Sequence, residues 1–226
     1  MKGDRVAIFD ETIKIADEII DGILPRIISS QRRFSISIAG ESGSGKTVLA
    51  RAIHHQFLER KIKSVVLNQD DYFVLPPQSN DQQRREDPDW LGPHIEVHLD
   101  MLDENLKDAI LGRNEIVKPL VDYYANAIEK ETIPLDGIKV VIAEGTYTSL
   151  LRNVDLRIFI EKSWQETLEN RISRNRGTEA GDPFIENVLS IEHKIIAGHR
   201  QLADILVTKD DSVIVFKRWT GDEHQK

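Results

Sequence analysis

A chain of 226 residues, 40% of them hydrophobic, has enough apolar material for one large core but not for two full domains. Its formal net charge of −8 disfavours a nucleic-acid partner. The lack of cysteine excludes disulfides, zinc–thiolate sites and thiol nucleophiles.

In chain order, residues 8–28 place Ile13, Ala16, Ile20, Ile23, Leu24 and Ile27 at helical spacing, and Pro25 is expected to bend or end this amphipathic helix. The first strand is 34–39. Next come Gly40-Glu41-Ser42-Gly43-Ser44-Gly45-Lys46-Thr47 and a helix to about residue 60. Residues 63–68 read as a strand ending at Gln69-Asp70-Asp71-Tyr72-Phe73. The stretch 76–94, punctuated by Pro76-Pro77, Asp87-Pro88 and Gly92-Pro93, reads as a long functional loop. Helix returns over 96–111 with Gly112 suited to its C-terminal end, and 116–135 reads as a hairpin. Buried strands follow at 139–143 and 156–160, a basic helix at 163–175, a helix at 183–202, and short strands at 205–207 and 213–216. Strands alternating with helices predict an α/β fold, a parallel sheet with helices on both faces. The implied division is a helical extension at 1–33, a single domain at 34–217 and a tail at 218–226. No apolar run approaches the roughly 18 residues that span a bilayer, and the start of the chain lacks a signal-like apolar stretch. A cytoplasmic protein with no membrane partner is therefore expected.

The chemistry begins at residues 40–47, a complete G-x-x-x-x-G-K-[ST] phosphate loop set between a strand and a helix. Its backbone N–H groups would cradle a phosphate chain, Lys46 would reach the outer phosphates, and the Thr47 hydroxyl would coordinate Mg²⁺. Asp70-Asp71 ends the second strand, where a carboxylate faces the ligand crevice and either accepts a hydroxyl proton or helps to hold the metal; extended geometry lets one of the pair face inward. Glu144-Gly145 ends another buried strand and suits the metal shell. Arg171, Arg174 and Arg176 precede a glycine-containing hinge and read as a closing lid that brings positive charge to a transferring phosphoryl group. Glu86, Asp87 and Asp89 beside Trp90 would hold hydroxyls and cover a ring. The histidines lack zinc-site spacing, and Thr208-Lys209-Asp210-Asp211 matches a guanine-reading pattern without the switch context that a GTPase requires.

Taken together, residues 39–47, 67–73, 87–90, 119–123, 141–145, Arg171-x-x-Arg174-Asn175-Arg176-Gly177, 183–186 and 199–204 resemble the uridine kinase / phosphoribulokinase family of phosphate-loop kinases. The resemblance implies a nucleoside-monophosphate-kinase-like fold with a lid and a small hairpin insertion, with ATP and Mg²⁺ as cofactors. The γ-phosphoryl group would pass to a hydroxyl of a small metabolite. Asp70 matches the acid that activates that hydroxyl, Tyr72 lies in the same substrate-facing segment, and Glu144 matches the second acid. Arg171, Arg174 and Arg176 match the lid arginines, and Glu86 or Asp87 falls where the ribose hydroxyls are gripped. Tyr123 retains an aromatic of the hairpin segment. Val121 and Asn126 stand where uridine kinases usually carry a tyrosine and a base-contacting histidine. A nucleoside 5′-hydroxyl, of uridine or cytidine, is the first expectation. A sugar, a sugar phosphate, glycerate or a pantothenate-like alcohol is the alternative, and a nucleotide sensor without turnover is a third. The family often self-assembles, and helix 8–28 is a candidate contributor to a homo-oligomer.

Overall fold

The computed structural model describes residues 8–168 and 182–215. Its centre is β1 (Phe34–Gly40), buried along its whole length between two parallel neighbours. With β2 (Ser64–Asn68), β5 (Val140–Glu144), β6 (Leu156–Ile160), β7 (Ile205–Val207) and β8 (Val213–Val215), it forms a sheet in the order β2-β5-β1-β6-β7-β8. Every pairing is parallel except β7 with β8. A second, two-stranded sheet is the antiparallel hairpin of β3 (Glu115–Asp122) and β4 (Ala127–Pro134).

Alternation along the buried strands divides the core. Val140 and Ile142 join Ile36, Ile38, Leu49, Ile53 and Phe57 on one side, beneath α1 (Asp10–Ser29) and α2 (Lys46–Glu59). Val141 and Ala143 point the other way, packing with Leu102, Leu106 and Ala109 of α4 (Leu99–Ile110) and Ile196 of α5 (Pro183–Ile196). The apolar stripe of α1, which includes Ile19, Ile20, Ile23 and Ile27, lies inside the first cluster.

Two expectations change. Pro25 does not end α1, which continues to Ser29. Pro25 and Asp21, whose carbonyl loses its helical donor, both lie on the exposed face, where that carbonyl is open to solvent. The stretch 76–94 is not a loop throughout: it holds α3 (Pro77–Glu86) and a 3₁₀ turn, Pro88–Trp90. The sequence of α3 is polar on all sides and shows no stripe, so its support is polar as well. Pro77 starts it, an Asp81–Arg85 pair braces one turn, and Asn126 Oδ1 accepts from the Gln78 N–H at 2.9 Å.

Register sets the position of the site. Asn68 and Ile38 both pair with Glu144, so β2 and β5 end level with one another and β1 runs two residues further, to Gly40. The segment 69–72, Glu144-Gly145 and the phosphate loop therefore leave the sheet along one edge, the carboxyl edge where α/β proteins bind ligands. Among the described residues, no helix is long and apolar enough to cross a membrane.

Candidate active site

The phosphate loop is shaped by residues in conformations that side chains resist. Gly43 and Gly45 have φ of 81° and 99°, and a Cβ on Gly40 would lie 2.9 Å from both the Ile160 carbonyl oxygen and Ser44 Oγ. Gly45 caps α2 without a side chain, and the first turn of that helix carries no acid, so its positive end is turned to the loop. The Ser44 hydroxyl oxygen is buried without a hydrogen-bond partner among the described residues. An orphaned hydroxyl inside a glycine nest at a helix N-terminus fits a phosphate chain. Lys46 Nζ donates to the Glu41 carbonyl at 2.8 Å, arching over the loop from within.

Glu41 and Ser42, expected among the nucleotide-binding residues, direct their side chains to the protein instead. The Glu41 carboxylate accepts from the Trp164 N–H at 2.7 Å and meets His193 Nδ1 at 2.6 Å. The Ser42 N–H and Oγ both donate to Glu192, at 2.9 and 3.1 Å, and its carbonyl accepts from Thr167 Oγ1 at 3.0 Å. These two residues anchor the loop to the segments around it.

The paired aspartates divide. Asp71 is 3% exposed, meets Lys118 Nζ at 2.7 Å and accepts from the Val121 N–H at 3.1 Å, so it ties β3 to the turn after β2. Asp70 is half-buried and borders the cavity described below, its own N–H bonded to Asn68 Oδ1 at 2.8 Å. The backbone here is a 3₁₀ turn, Gln69–Tyr72, not an extended chain, and this turn corrects the expectation for Tyr72. Tyr72 is fully buried in the core and donates to Asn105 Oδ1 at 2.8 Å, and burial pushes its hydroxyl pKa up. Glu144 is buried at the end of β5, and Thr47 lies in the first turn of α2. Among the described residues no group of three acidic, His or Cys side chains forms a metal cage. Thr47 with Glu144 or Asp70 suits a Mg²⁺ ion that takes its other ligands from phosphate oxygens and water.

Beside the loop opens a cavity of about 500 Å³, bounded by the turn after β2, α3 and α5. Glu96, 1% exposed, forms its inner wall and is held from four directions. Its Oε2 meets Arg84 Nη2 at 2.6 Å and Asn80 Nδ2 at 3.2 Å, and its Oε1 accepts from the Gly92 N–H and the Tyr147 hydroxyl at 3.3 and 3.4 Å. Trp90 Nε1 donates to Asn80 Oδ1 at 2.8 Å, which fixes the other end of that amide. At the mouth, the Arg85 guanidinium lies 3.8 Å from the Phe184 ring centroid and pairs with Asp81 and Asp182. Tyr123 also lines the cavity.

Three expected substrate residues stand elsewhere. Glu86 is exposed and bonded to Gln82; Asp87 is exposed and accepts from the Asp89 N–H, capping the 3₁₀ turn. Asn126, at φ 47° in the hairpin turn, caps α3 with its amide oxygen and does not line the cavity. Arg171, Arg174 and Arg176 lie outside the described residues.

Sequence reading missed Asn80, Arg84, Glu96 and Glu192. The signal for Asn80 and Arg84 was their i, i+4 spacing in a polar segment. For Glu192 it was a carboxylate on the buried stripe of Val188, Leu189 and Ile196.

A model of the phosphoribulokinase / uridine kinase family matches residues 35–190. The chain is 35% identical over 196 residues to a bifunctional alpha-galactosidase/sucrose kinase of Mediterraneibacter gnavus, covering 82% of this chain and only 21% of that protein. It is 28% identical over 189 residues to the uridine kinase of Mycoplasma pneumoniae, covering 80% of this chain and 87% of that one. Among solved structures, that of a possible uridine kinase from Bacillus stearothermophilus has a TM-score of 0.64 at 18% identity, covering 85% of this chain and 97% of that one. The phosphoribulokinase from Rhodobacter spheroides has a TM-score of 0.57 at 15% identity, covering 79% and 71%. These two structures share the fold.

Proposed function

The chain belongs to the phosphoribulokinase / uridine kinase family, phosphate-loop kinases whose acceptor is an alcohol, and we propose that its acceptor is a hydroxyl of an uncharged carbohydrate. The observation that carries this reading is the balance of charge on the cavity wall. Arg84 is neutralised by Glu96, and Arg85 by Asp81 and Asp182, while Asp70 and Glu192 add further carboxyl groups. A sugar phosphate or a carboxylic acid would find no unmatched cation among the described residues of this wall, and would meet a net repulsive field. A neutral polyol finds fixed donors and acceptors at Asn80, Arg84 and Glu96. The likeness to a sucrose kinase points the same way.

A nucleoside acceptor is the second reading, supported by Tyr123 on the wall, an aromatic able to cover a base. Against it, Val121 is fully buried and Asn126 caps a helix, so neither position reads a base.

In the proposed reaction, Asp70 at the cavity floor accepts the hydroxyl proton late, as the new P–O bond forms. Lys46 and the N-terminus of α2 stabilise charge on the phosphoryl oxygens of ATP, and Arg171, Arg174 and Arg176 are proposed to add to that field. Mg²⁺, held by Thr47 with Glu144 or Asp70, would supply the remaining charge neutralisation. The test is ADP release with Mg²⁺-ATP against sucrose, fructose, glucose, uridine, cytidine, glycerate and ribulose 5-phosphate. Stimulation by neutral sugars is expected. Stimulation by uridine alone would restore the nucleoside reading, and by ribulose 5-phosphate or glycerate would overturn the charge argument. ATP binding with no turnover on any acceptor would favour a sensor.

A further inference from the structure

We propose that Glu192 is a positioning residue for phosphoryl transfer, fixing the acceptor-side corner of the phosphate loop through Ser42. The inference rests on reading residues 40–47 as the ATP site.

Glu192 belongs to the buried face of α5, among Val188, Leu189 and Ile196, where an apolar residue would pack at lower cost. Its two oxygens are used separately, one by the Ser42 N–H at 2.9 Å and one by Ser42 Oγ at 3.1 Å. With the Ser42 carbonyl held by Thr167, each polar group of Ser42 is bonded to a residue outside the loop. The preceding residue is held in the same way, Glu41 by His193 and Trp164. The loop corner thus takes its position from α5 and from the turn after β6, beside the bonds that Ser44 and Lys46 make to the Glu41 carbonyl within the loop. Glu192 and Ser42 also line the acceptor cavity together, so one carboxyl group touches both the donor loop and the acceptor space.

Burial pushes the Glu192 carboxyl pKa up, while Lys46, the Ser42 bonds and Arg84 oppose the shift. Positioning of this kind acts on transfer because a small displacement of a reacting group costs rate steeply.

The experiment measures the Kd of Mg²⁺-ATP by calorimetry on the full chain without acceptor, beside thermal unfolding, for wild type, Glu192→Ala, Glu192→Gln, Ser42→Ala and Ile196→Ala. Glu192→Ala should weaken ATP binding by about 10–100-fold, the loss expected for hydrogen bonds to a buried carboxyl group. Glu192→Gln should stay within about threefold of wild type, because its amide accepts from the Ser42 N–H and donates to Oγ. Ser42→Ala keeps the N–H bond and should fall between them. Ile196→Ala, on the same face but away from the loop, should lower the melting temperature and leave the Kd unchanged. Wild-type affinity in Glu192→Ala would overturn the proposal. If that variant does not fold, a Glu192→Gln protein that binds weakly beside a Ser42→Ala protein that binds normally would overturn it too. No ATP binding by wild type would instead remove the donor-site reading on which it rests.

Discussion

Gly145 and Gln69 approach so closely that a Cβ on Gly145 would lie 2.2 Å from Gln69 Cβ. Gln69 is buried, and its Oε1 accepts from the Tyr147 N–H at 2.7 Å, so the chain leaving β2 is stitched to the chain leaving β5. This contact keeps Asp70 and Glu144 on one edge of the sheet. Gly145→Ala should destabilise the fold by about 1–3 kcal/mol, through the clash and the backbone φ of 155° together. Urea unfolding measures it, and an unchanged midpoint would show that the backbone at Gln69 or Gly145 shifts at no cost.

The neighbouring aspartates should separate in two different assays. Asp70→Asn should reduce turnover by about 10²–10⁴-fold and leave Mg²⁺-ATP affinity nearly intact. Lys118→Met leaves the buried Asp71 carboxylate without its cation at 2.7 Å and should cost about 3–5 kcal/mol of stability. If Asp71→Asn abolished turnover without affecting unfolding, and Asp70→Asn did neither, the base would be Asp71.

The strands and the phosphate loop were legible because their signals are local: apolar runs such as Val140–Ala143, and glycines at fixed offsets. The opposed facing of Asp70 and Asp71 was expected from extended geometry and is seen, although a 3₁₀ turn produces it. That same turn carries Tyr72 into the core, where alternation along an extended chain would have left it near Asp70. Helix α3 was illegible for a different reason. Asn126, Glu96 and Asp182, distant in sequence, supply the partners that a fully polar helix needs. The hydroxyl-gripping acid was sought at Glu86 or Asp87, which are exposed, while Glu96, beyond the bend that Gly92 makes at φ 145°, is among the acids that line the cavity.

Two histidines, His199 buried and His54 half-buried, give stability a pH dependence of definite sign. His54 bonds Ser64 Oγ at 2.8 Å and His199 bonds Ser149 Oγ at 2.8 Å. Burial holds both below their ordinary value of 6.5, and the nearby His55 adds to the effect at His54. Between the lowered values and 6.5 the unfolded chain binds more protons than the folded one, so stability rises with pH there. It is fully present above 6.5 and is lost as pH falls toward the folded values. Unfolding free energies at about pH 7.5 and about pH 5.5 should differ more for wild type than for a His54→Asn/His199→Asn double variant. Equal differences would mean that other groups set the slope.

The sharpest test of the acceptor cavity compares three acids of one segment. Glu96 faces the cavity, fixed by Arg84, Asn80 and Tyr147, whereas Glu86 and Asp87 are exposed and, among the described residues, bonded only to their own helix or turn. Removing a charge that helps to hold a substrate hydroxyl costs about 1.5–3 kcal/mol, so Glu96→Gln should raise the KM of the best acceptor by about 10–100-fold. The KM of ATP should change little, because Glu96 does not touch residues 40–47. Glu86→Gln and Asp87→Asn should leave both constants within about twofold, as expected for surface substitutions. Glu96→Gln also weakens the Arg84 pair, so its melting temperature is measured alongside. A Glu96→Gln enzyme with normal acceptor KM beside a defective Asp87→Asn enzyme would move the hydroxyl-gripping acid back to the exposed turn and empty the cavity of its role.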